Sequence, residues 1–434
     1  MTKLSNYLFT DTKLKKNIFS YSVNFFFNLV IQILFPPLMM LYWGSELFGL
    51  IIFLLTIPAS LSFLILNFNT ASRQEMLSAR VKNNYNIINK IYSNTLILVS
   101  ICYLLYFIFS ILIINYFNFN IEGDFLSSNE LKMILILLFS SYLIKFFEAI
   151  FALKISYFGK YYIPRNLDTL FELIIKLSMI LIGFLKINLI FIFYTFFLIH
   201  IIKIFIYYLF SKIDIKINFK VIYLDTKYIS DLFKKSIQYF FVYFEEIIKT
   251  SIFPFLIGLF FNMNLVAFYS TLRTMFYFFP KRFFEIISEV LQFNFAKLFY
   301  EKKIDLLKRI YTFQMILTLV LSSCFLIFSY FFGEIIYLFW INNKFMFDGY
   351  MMSLIVLDCF LICLSNSLIS FFKSINKFQF FSFSSFVLYL IVSITCYFLF
   401  QNGHSFEIIV EASFIGSLIV FILSLLYMFK LKKI

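Results

Sequence analysis

Charged residues are scarce in this sequence: Asp, Glu, Lys and Arg together make up 14% of its 434 residues. Soluble domains average about 25%. A chain this poor in charge cannot cover a water-facing surface, and 62% of its residues are hydrophobic. The composition therefore excludes a soluble globular protein and indicates an integral membrane protein.

Patterns typical of several other protein classes are also missing. The apolar stretches show no strand-type alternation, which argues against a β-barrel. The five cysteines fall inside apolar segments, without the spacing of a metal site or a disulfide framework. No loop is longer than about 20 residues, so the chain has no room for a soluble catalytic domain. We therefore expect a protein that is not an enzyme and that needs no metal and no cofactor.

Apolar runs dominate what is present. Runs of about 20–25 residues are long enough to cross a ~30 Å hydrocarbon core as helices, and they recur along the whole chain. The fold class is therefore predicted to be all-α integral membrane, with about twelve transmembrane helices. The predicted helices cover residues 18–42, 48–68, 91–115, 131–153, 167–184, 189–210, 236–261, 265–295, 311–332, 350–372, 378–400 and 405–429.

Basic residues alternate between the two sides of the predicted membrane. Loops on the side of the N-terminus hold 27 Lys and Arg residues, whereas the opposite loops hold three, at Lys132, Lys186 and Lys344. Loops rich in Lys and Arg stay in the cytoplasm, so both termini are predicted to be cytoplasmic. The net charge of +14 thus reports topology, and no nucleic-acid partner is expected.

One stretch of the chain occurs twice. Residues 35–49 recur in weaker form at 253–267, a shift of 218 residues that places Pro36 on Pro254. A shift of about half the chain length predicts two copies of one unit. Six helices per copy make the copies parallel, related by an axis along the membrane normal.

The most polar internal stretch lies near the midpoint of the chain and divides the two copies. We predict an N-terminal six-helix lobe at residues 1–210, a cytoplasmic linker at 211–231 and a C-terminal six-helix lobe at 232–434. The two lobes are expected to surround a central cavity.

Ionisable residues within the predicted helices are costly to place there and are candidate functional residues. Most have an opposite charge within about one helical turn, a spacing that supports an ion pair within one helix. The alternative to a functional role is therefore local pairing or, near a helix end, extension to the headgroups. These candidates are Lys145 with Glu148, Lys249 with Glu245 and Glu246, Asp168 and Glu172 with Lys176, and Lys281 and Arg282 with Glu285.

Two cations, Lys203 and Arg273, have no acid within one turn. Each needs a partner on another helix or a water-filled cavity that accepts an anion. The acids Asp358 and Glu411 are equally isolated, and they either balance these cations or carry protons. His200, close to Lys203, is interpreted as a packed helix residue rather than a proton relay.

The cations within the predicted helices indicate an anionic or phosphorylated substrate. A guanidinium suits phosphate because its donors form a fork and its charge is permanent. The predicted substrate-binding cations are Arg273, Lys203, Lys249, Lys176, Lys145, Lys281 and Arg282. The predicted groups for ion coupling or charge pairing are Glu148, Asp168, Glu172, Glu245, Glu246, Asp358 and Glu411.

A Gly-x-x-x-Phe-Gly turn at residues 44–49 lies between the first two predicted helices, and a basic loop with Arg73 and Arg80 follows the second. With its six-plus-six helices, polar central linker and cytoplasmic termini, the chain resembles the polysaccharide flippases of the Wzx type. These belong to the multidrug/oligosaccharidyl-lipid/polysaccharide exporter superfamily, which is MATE-like. The resemblance covers nearly the whole chain and rests mostly on architecture.

The resemblance implies a flippase that moves an undecaprenyl-diphosphate-linked oligosaccharide across a bacterial inner membrane. The cargo would be an O-antigen or other polysaccharide repeat unit, carried from the cytoplasmic to the periplasmic leaflet. The resemblance also implies a cationic lumen and alternating access coupled to an ion gradient. Membrane lipids and other polysaccharide-assembly proteins would be its partners. The lumen cations of this family vary in position, so the resemblance assigns none of the residues above.

Under this hypothesis the diphosphate enters past Lys281 and Arg282 and is held by the deeper cations, while the polyprenyl tail stays in lipid. Matching kinks at Pro36 and Pro254 would bend as the two lobes move.

Two other functions remain open. A drug or cation exporter of the same superfamily would favour an acidic lumen, whereas deep cations are at least as prominent here. A membrane-embedded glycan polymerase usually carries long external loops, and none is present. An acyltransferase needs a catalytic histidine, and the only histidines are His200 and His404, neither in a polar motif.

Overall fold

The protein is all-α. The computed structural model describes residues 12–64, 68, 71–73, 75–76, 85–116, 126–157, 162–212, 221–300, 302–375 and 378–431. All regular secondary structure in these ranges is helical, as the sequence predicted. The basic loop at Arg80, the acidic loop at Glu122 and Asp124, and linker residues 213–220 lie outside the described residues.

Thirteen α-helices make up the described part of the chain. They are α1 (Thr12–Ser60), α2 (Tyr85–Tyr116), α3 (Ser128–Tyr157), α4 (Tyr162–Phe184), α5 (Ile190–Ser211), α6 (Thr226–Ile247), α7 (Phe253–Phe260), α8 (Met263–Arg273), α9 (Phe279–Tyr300), α10 (Ile304–Trp340), α11 (Gly349–Ser374), α12 (Gln379–Gln401) and α13 (Ile408–Leu431).

Two π-helical turns join neighbouring α-helices without a break. The first, Ile248–Ile252, connects α6 to α7, and the second, Thr274–Phe278, connects α8 to α9. Helix α1, in contrast, is divided in two at Gly44. Counted as continuous rods, the described residues hold twelve helical segments, and each overlaps one of the twelve predicted helices.

Eight helices of the described part are long and apolar enough to cross a membrane. They are α1, α2, α3, α5, α10, α11, α12 and α13. The others, α4 and α6 to α9, are shorter or more highly charged, and they include Asp168, Lys249 and Arg273.

Gly44 breaks α1 between the first two predicted helices. Its φ of 79° and ψ of 168° lie in a region that a side chain disfavours, and no atom lies within 4 Å of where a Cβ would be. The backbone remains helical through Pro36 and Pro37, where the sequence predicted a kink. The break therefore depends on the conformational freedom of glycine rather than on proline.

A second short turn, between α7 and α8, lies 218 residues after the first, at the shift of the sequence repeat. Phe261 is extended there, and the Asn262 side chain accepts a hydrogen bond of 2.9 Å from the backbone N–H of Leu265. Asn262, which corresponds to Gly44 in the repeat, thus caps the start of α8. The two repeats therefore reverse the chain at equivalent positions, one with glycine and one with an N-cap.

The chain forms two compact units. The first consists of Met1–Tyr42 and Ile57–Phe240, and the second of Trp43–Thr56 and Phe241–Ile434. The described part of the predicted linker thus packs with the first unit. The second unit includes a segment, Trp43–Thr56, that comes from near the N-terminus.

Close packing holds Trp43–Thr56 within the second unit. A Cβ on Gly49 would lie 1.8 Å from the carbonyl oxygen of Met263, so only glycine permits this approach. The ring of Phe53 stacks on that of Phe255, with centroids 5.6 Å apart, and it also fills the space beside Gly258. These contacts fix the segment against α7 and α8.

In the first unit, the end of the linker is attached to α2. Lys90 Nζ lies 2.6 Å from Asp225 Oδ2, and the Asn94 side chain bonds to the backbone of Tyr223 and of Asp225. Asp225 Oδ1 also accepts the backbone N–H of Tyr228 at 3.1 Å. Asp225 therefore joins the linker to α2 and caps the start of α6.

Candidate functional site

Lys203 lies at the centre of a charged cluster in the first unit. Its ammonium group is 2.8 Å from Glu148 Oε2 on α3 and 2.9 Å from Asp168 Oδ1 on α4. Helix α3 packs along α5, which carries Lys203, so the acids reach it from neighbouring helices. The sequence required a partner on another helix or an accepting cavity for this lysine, and the structure supplies two carboxylates.

The same two acids hold further side chains of α5. His200 Nδ1 lies 3.0 Å from Glu148 Oε1, and the hydroxyl of Tyr207 donates to Asp168 Oδ1 at 2.8 Å. His200 Nε2 is buried and has no hydrogen-bond partner. Both acids of the cluster are thus shared between Lys203 and a second group of α5.

The other predicted cations of the first unit are held locally. Lys176 lies 2.8 Å from Glu172 Oε1, four residues back on α4, as its spacing suggested. The ammonium group of Lys145 is 3.8 Å from the centroid of the Tyr142 ring and makes no ion pair with Glu148. The described part of the first unit therefore offers no isolated guanidinium to an anion.

Lys249 lies in a polar network at the centre of the second unit. Its ammonium group is 2.8 Å from Asp358 Oδ1 on α11 and 2.8 Å from Ser417 Oγ on α13. Ser413 donates to Asp358 Oδ2 at 2.7 Å, and Ser417 also donates to this carboxylate. Only 1% of the Lys249 side chain is exposed. This lysine is thus paired across helices, rather than with Glu245 one turn before it.

Arg273 is buried in aromatic surroundings without a carboxylate. Its guanidinium carbon lies 4.7–5.3 Å from the ring centroids of Tyr269, Tyr277 and Phe278. Only 4% of the residue is exposed. Among the residues that the structure describes, it makes no ion pair, and its Nη2 has no hydrogen-bond partner. Cation–π contacts offset part of the cost of burying this charge and leave the forked donors available.

The π-helical turns place these two cations beside the bundle interior. Each turn ends two residues before a proline, Pro254 in one case and Pro280 in the other. Proline cannot donate to the carbonyl four residues earlier and clashes with it, so a wider π turn accommodates the ring. Lys249 lies within the first π turn, and Arg273 directly precedes the second.

A cavity of ≈ 210 Å³ adjoins this region within the second unit. Tyr277 lines it, and the ring of Tyr277 also lies within 4.9 Å of Arg273 and 5.1 Å of Lys249. Charged side chains of α6, α9 and α11 form much of the remaining wall, namely Glu245, Glu246, Lys281, Glu285 and Lys373.

The cavity cations predicted from the sequence are largely neutralised. Lys281 lies 3.4 Å from Glu246 and 3.4 Å from Glu285. Arg282 is exposed and lies 3.1 Å from Glu285 Oε2. The last predicted acid, Glu411, lies elsewhere and accepts a hydrogen bond of 2.8 Å from the hydroxyl of Tyr350.

Several residues of the second unit were missed by the sequence reasoning. Lys373 lies at the end of α11 and was counted as a loop cation, although it lines the cavity. Ser413 and Ser417 are one turn apart on α13, and this i, i+4 pair of hydroxyls was the available signal. Nothing in the local sequence indicates that Tyr277 contacts several cations.

The residues that the structure describes contain no group of three or more His, Cys, Asp or Glu side chains arranged to hold a metal ion. The charged clusters of the two units are therefore organised by ion pairs and hydroxyl groups.

No family model matches the sequence, and no curated protein matches it. Solved membrane transporters match nearly the whole chain. The lipid II flippase MurJ, in an inward closed conformation, is 16% identical over 94% of this chain and 87% of its own, with a TM-score of 0.63. The MATE multidrug transporter DinF-BH, in complex with a rhodamine dye, is 12% identical over 98% and 96%, with a TM-score of 0.65.

A further match has the same fold in an inward-facing conformation. It is a multidrug resistance MATE family transporter of the MOP superfamily, 12% identical over 94% of this chain and 96% of its own, with a TM-score of 0.61. Identities this low show the fold alone. The chain is therefore a multi-pass membrane protein with the fold shared by MATE transporters and MurJ.

Proposed function

We propose that this protein is a flippase for polyprenyl-diphosphate-linked oligosaccharide, of the Wzx type, in a bacterial inner membrane. It would carry the lipid-linked repeat unit from the cytoplasmic to the periplasmic leaflet by alternating access, with both termini in the cytoplasm. The ion gradient that drives it, the membrane lipids and other polysaccharide-assembly proteins complete the proposal. Its fold, shared with a lipid II flippase and with MATE transporters, supports a transporter rather than an enzyme.

The observation that carries the proposal is the buried guanidinium of Arg273. A buried charge without a partner is costly, so its presence is best explained by an anion that binds there during transport. A diphosphate suits the fork geometry of its donors. Lys203 and Lys249 already pair with carboxylates, which leaves Arg273 as the principal anion-binding residue.

The test is complementation of a strain that lacks the gene. Wild type, Arg273→Ala and Arg273→Lys are expressed, and lipid-linked glycan is measured on each leaflet with a membrane-impermeant reagent. We expect precursor to accumulate on the inner leaflet without the gene and with Arg273→Ala, and partial recovery with Arg273→Lys, which keeps charge but not the fork.

Arg282→Ala is the matched control because it removes an exposed arginine of the same unit. Membrane levels of every variant are measured alongside. Normal crossing of the precursor in the Arg273→Ala strain, at a normal level of protein, would refute the role of Arg273. Normal crossing without the gene, followed by failure of a later step, would indicate an enzyme and refute the flippase.

One observation favours a second function, export of an organic cation. The cavity of the second unit is lined by three glutamates, and the carboxylate of Glu245 makes no ion pair among the described residues. Efflux of a cationic rhodamine dye from cells expressing the protein tests this alternative. Efflux that is lost in Glu245→Gln and retained in Arg273→Ala would favour the exporter over the flippase.

A further inference from the structure

Charges around the cavity of the second unit do not all pair with one another. Lys281 bridges Glu246 and Glu285, and Arg282 adds a second cation to Glu285. These two acids and two bases neutralise one another. The remaining charged groups of the wall are Glu245 and Lys373.

Glu245 and Lys373 lie on different helices, α6 and α11, and both line the cavity. Glu245 makes no hydrogen bond and no ion pair within the described residues. Lys373 Nζ contacts only the amide oxygen of Asn366, at 3.3 Å. The two groups do not form an ion pair with each other, since none joins them within 4.0 Å. One free carboxylate and one ammonium group with a weak amide partner thus face the same space.

We propose that this cavity binds a compact zwitterionic group, with an ammonium directed at Glu245 and an acid directed at Lys373. A ligand with only one charge would satisfy one of these residues and meet a like charge at the other, which costs affinity. A zwitterion pairs both through charge-assisted hydrogen bonds. The volume of ≈ 210 Å³ equals about seven waters at ~30 Å³ each, enough for one sugar ring.

Polar neutral groups of the wall suit such a ligand. Ser288 and Asn366 line the same cavity and offer hydroxyl and amide groups for sugar hydroxyls. The inference deepens the proposed function and rests on it in one respect: the bearer of the two charges is taken to be a sugar of the carried glycan. The charge pattern itself is independent of transport.

The experiment measures binding, not transport. Four monosaccharides with one ring configuration are titrated into the purified full-length protein at pH 7 and followed by ligand-observed NMR. They are 2-amino-2-deoxygalacturonic acid (zwitterionic), galactosamine (cationic), galacturonic acid (anionic) and galactose (neutral). We expect the zwitterion to bind at least about ten-fold more tightly than galactose, the gain typical of a charge-assisted hydrogen bond.

Isosteric variants assign the two ends. Glu245→Gln should remove the advantage of galactosamine over galactose, and Lys373→Gln that of galacturonic acid, and each should weaken the zwitterion about ten-fold. Asp305→Asn and Lys308→Gln, at exposed positions of the same unit, are the matched controls and should change nothing.

Equal affinities for all four sugars would overturn the inference, as would binding of the zwitterion that Glu245→Gln leaves unchanged. Galactosamine binding as tightly as the zwitterion would show that the cavity recognises a cation alone. Arg273→Ala should retain zwitterion binding, because Arg273 lies outside the cavity wall. Loss of flipping with intact binding, or the reverse, therefore separates failure of the flippase from failure of this site.

Discussion

The ammonium group of Lys249 lies 2.8 Å from the carboxylate of Asp358, a residue 109 positions away in the sequence. Both side chains are buried, and the pair is completed by hydroxyl groups of α13. Each charge is thus compensated where water cannot reach it. The pair stabilises the second unit only while both members are present.

Breaking this pair should destabilise the protein strongly. Lys249→Met leaves a buried carboxylate, and Asp358→Asn a buried ammonium, and each should lose about 3–5 kcal/mol of unfolding free energy. The double variant Lys249→Met/Asp358→Leu should recover most of that loss, because apolar residues tolerate the same space. Unfolding of purified protein in detergent measures all three. Lys176→Met, which breaks a more exposed pair, should lose about 0–1 kcal/mol. A double variant no more stable than the singles would contradict this account.

The opposite behaviour is expected at Arg273. Its guanidinium has no ion pair to lose, so Arg273→Met removes an uncompensated charge. The variant should be within about 1 kcal/mol of wild type or more stable, since apolar replacement of buried charge is often neutral or stabilising. The same unfolding assay tests this, with exposed Arg282→Met as its control. A loss of more than about 3 kcal/mol would instead mean that the guanidinium holds the fold together.

Gly49 should not tolerate a methyl group. Alanine there would bring its Cβ to 1.8 Å from the carbonyl oxygen of Met263, so the segment would have to move away from α8. The expected cost is at least the ~1–3 kcal/mol typical of overpacking. Gly349→Ala is the matched control, because the nearest atom there is 3.7 Å away. If both variants unfold at the same temperature, the tight contact at Gly49 carries no weight.

Attachment of the linker should depend on pH below the acidic range of ordinary carboxylates. The hydrogen bond from Lys90, aided by the N–H of Tyr228, holds the pKa of Asp225 below its usual range. A lowered pKa contributes stability above the unfolded value of about 3.9, and that contribution is lost as pH falls through the folded value. Pepsin cleavage near residues 221–228 should therefore begin only as the pH falls below that value.

A variant checks the same contact at neutral pH. Asp225→Ala should make the linker sensitive to trypsin at Lys227 at pH 7, whereas Asp231→Ala, in the same exposed region, should not. Equal trypsin sensitivity of the two variants would mean that Asp225 does not attach the linker.

The helices were predictable because their signals are local. Apolar runs have the length of a bilayer crossing, and the turn at Gly44 falls in the glycine-containing stretch between two such runs. Proline was misleading, however. A helical backbone continues through Pro36 and Pro37, whereas Pro254 and Pro280 each follow a π turn that no periodicity indicated.

Pairing of the charges was less predictable. Spacing suggested Glu245 or Glu246 for Lys249, and the structure pairs this lysine with Asp358 instead. A pair within one helix contributes only about 0.2–0.5 kcal/mol, so contacts between helices readily override it. Such contacts depend on the arrangement of helices far apart in sequence, which a single sequence does not specify. For Arg273, which found no carboxylate, the isolated position in the sequence was the informative signal.

The location of Trp43–Thr56 in the second unit affects how the protein is assembled. Ser45 donates a hydrogen bond to Asn264 at 2.7 Å, across 219 positions of sequence. Synthesis at about 5–20 residues per second separates the two ends of this contact by roughly 10–40 s. During that interval the segment is in the membrane without its final neighbours. The second unit is therefore completed around residues that were synthesised long before the rest of it.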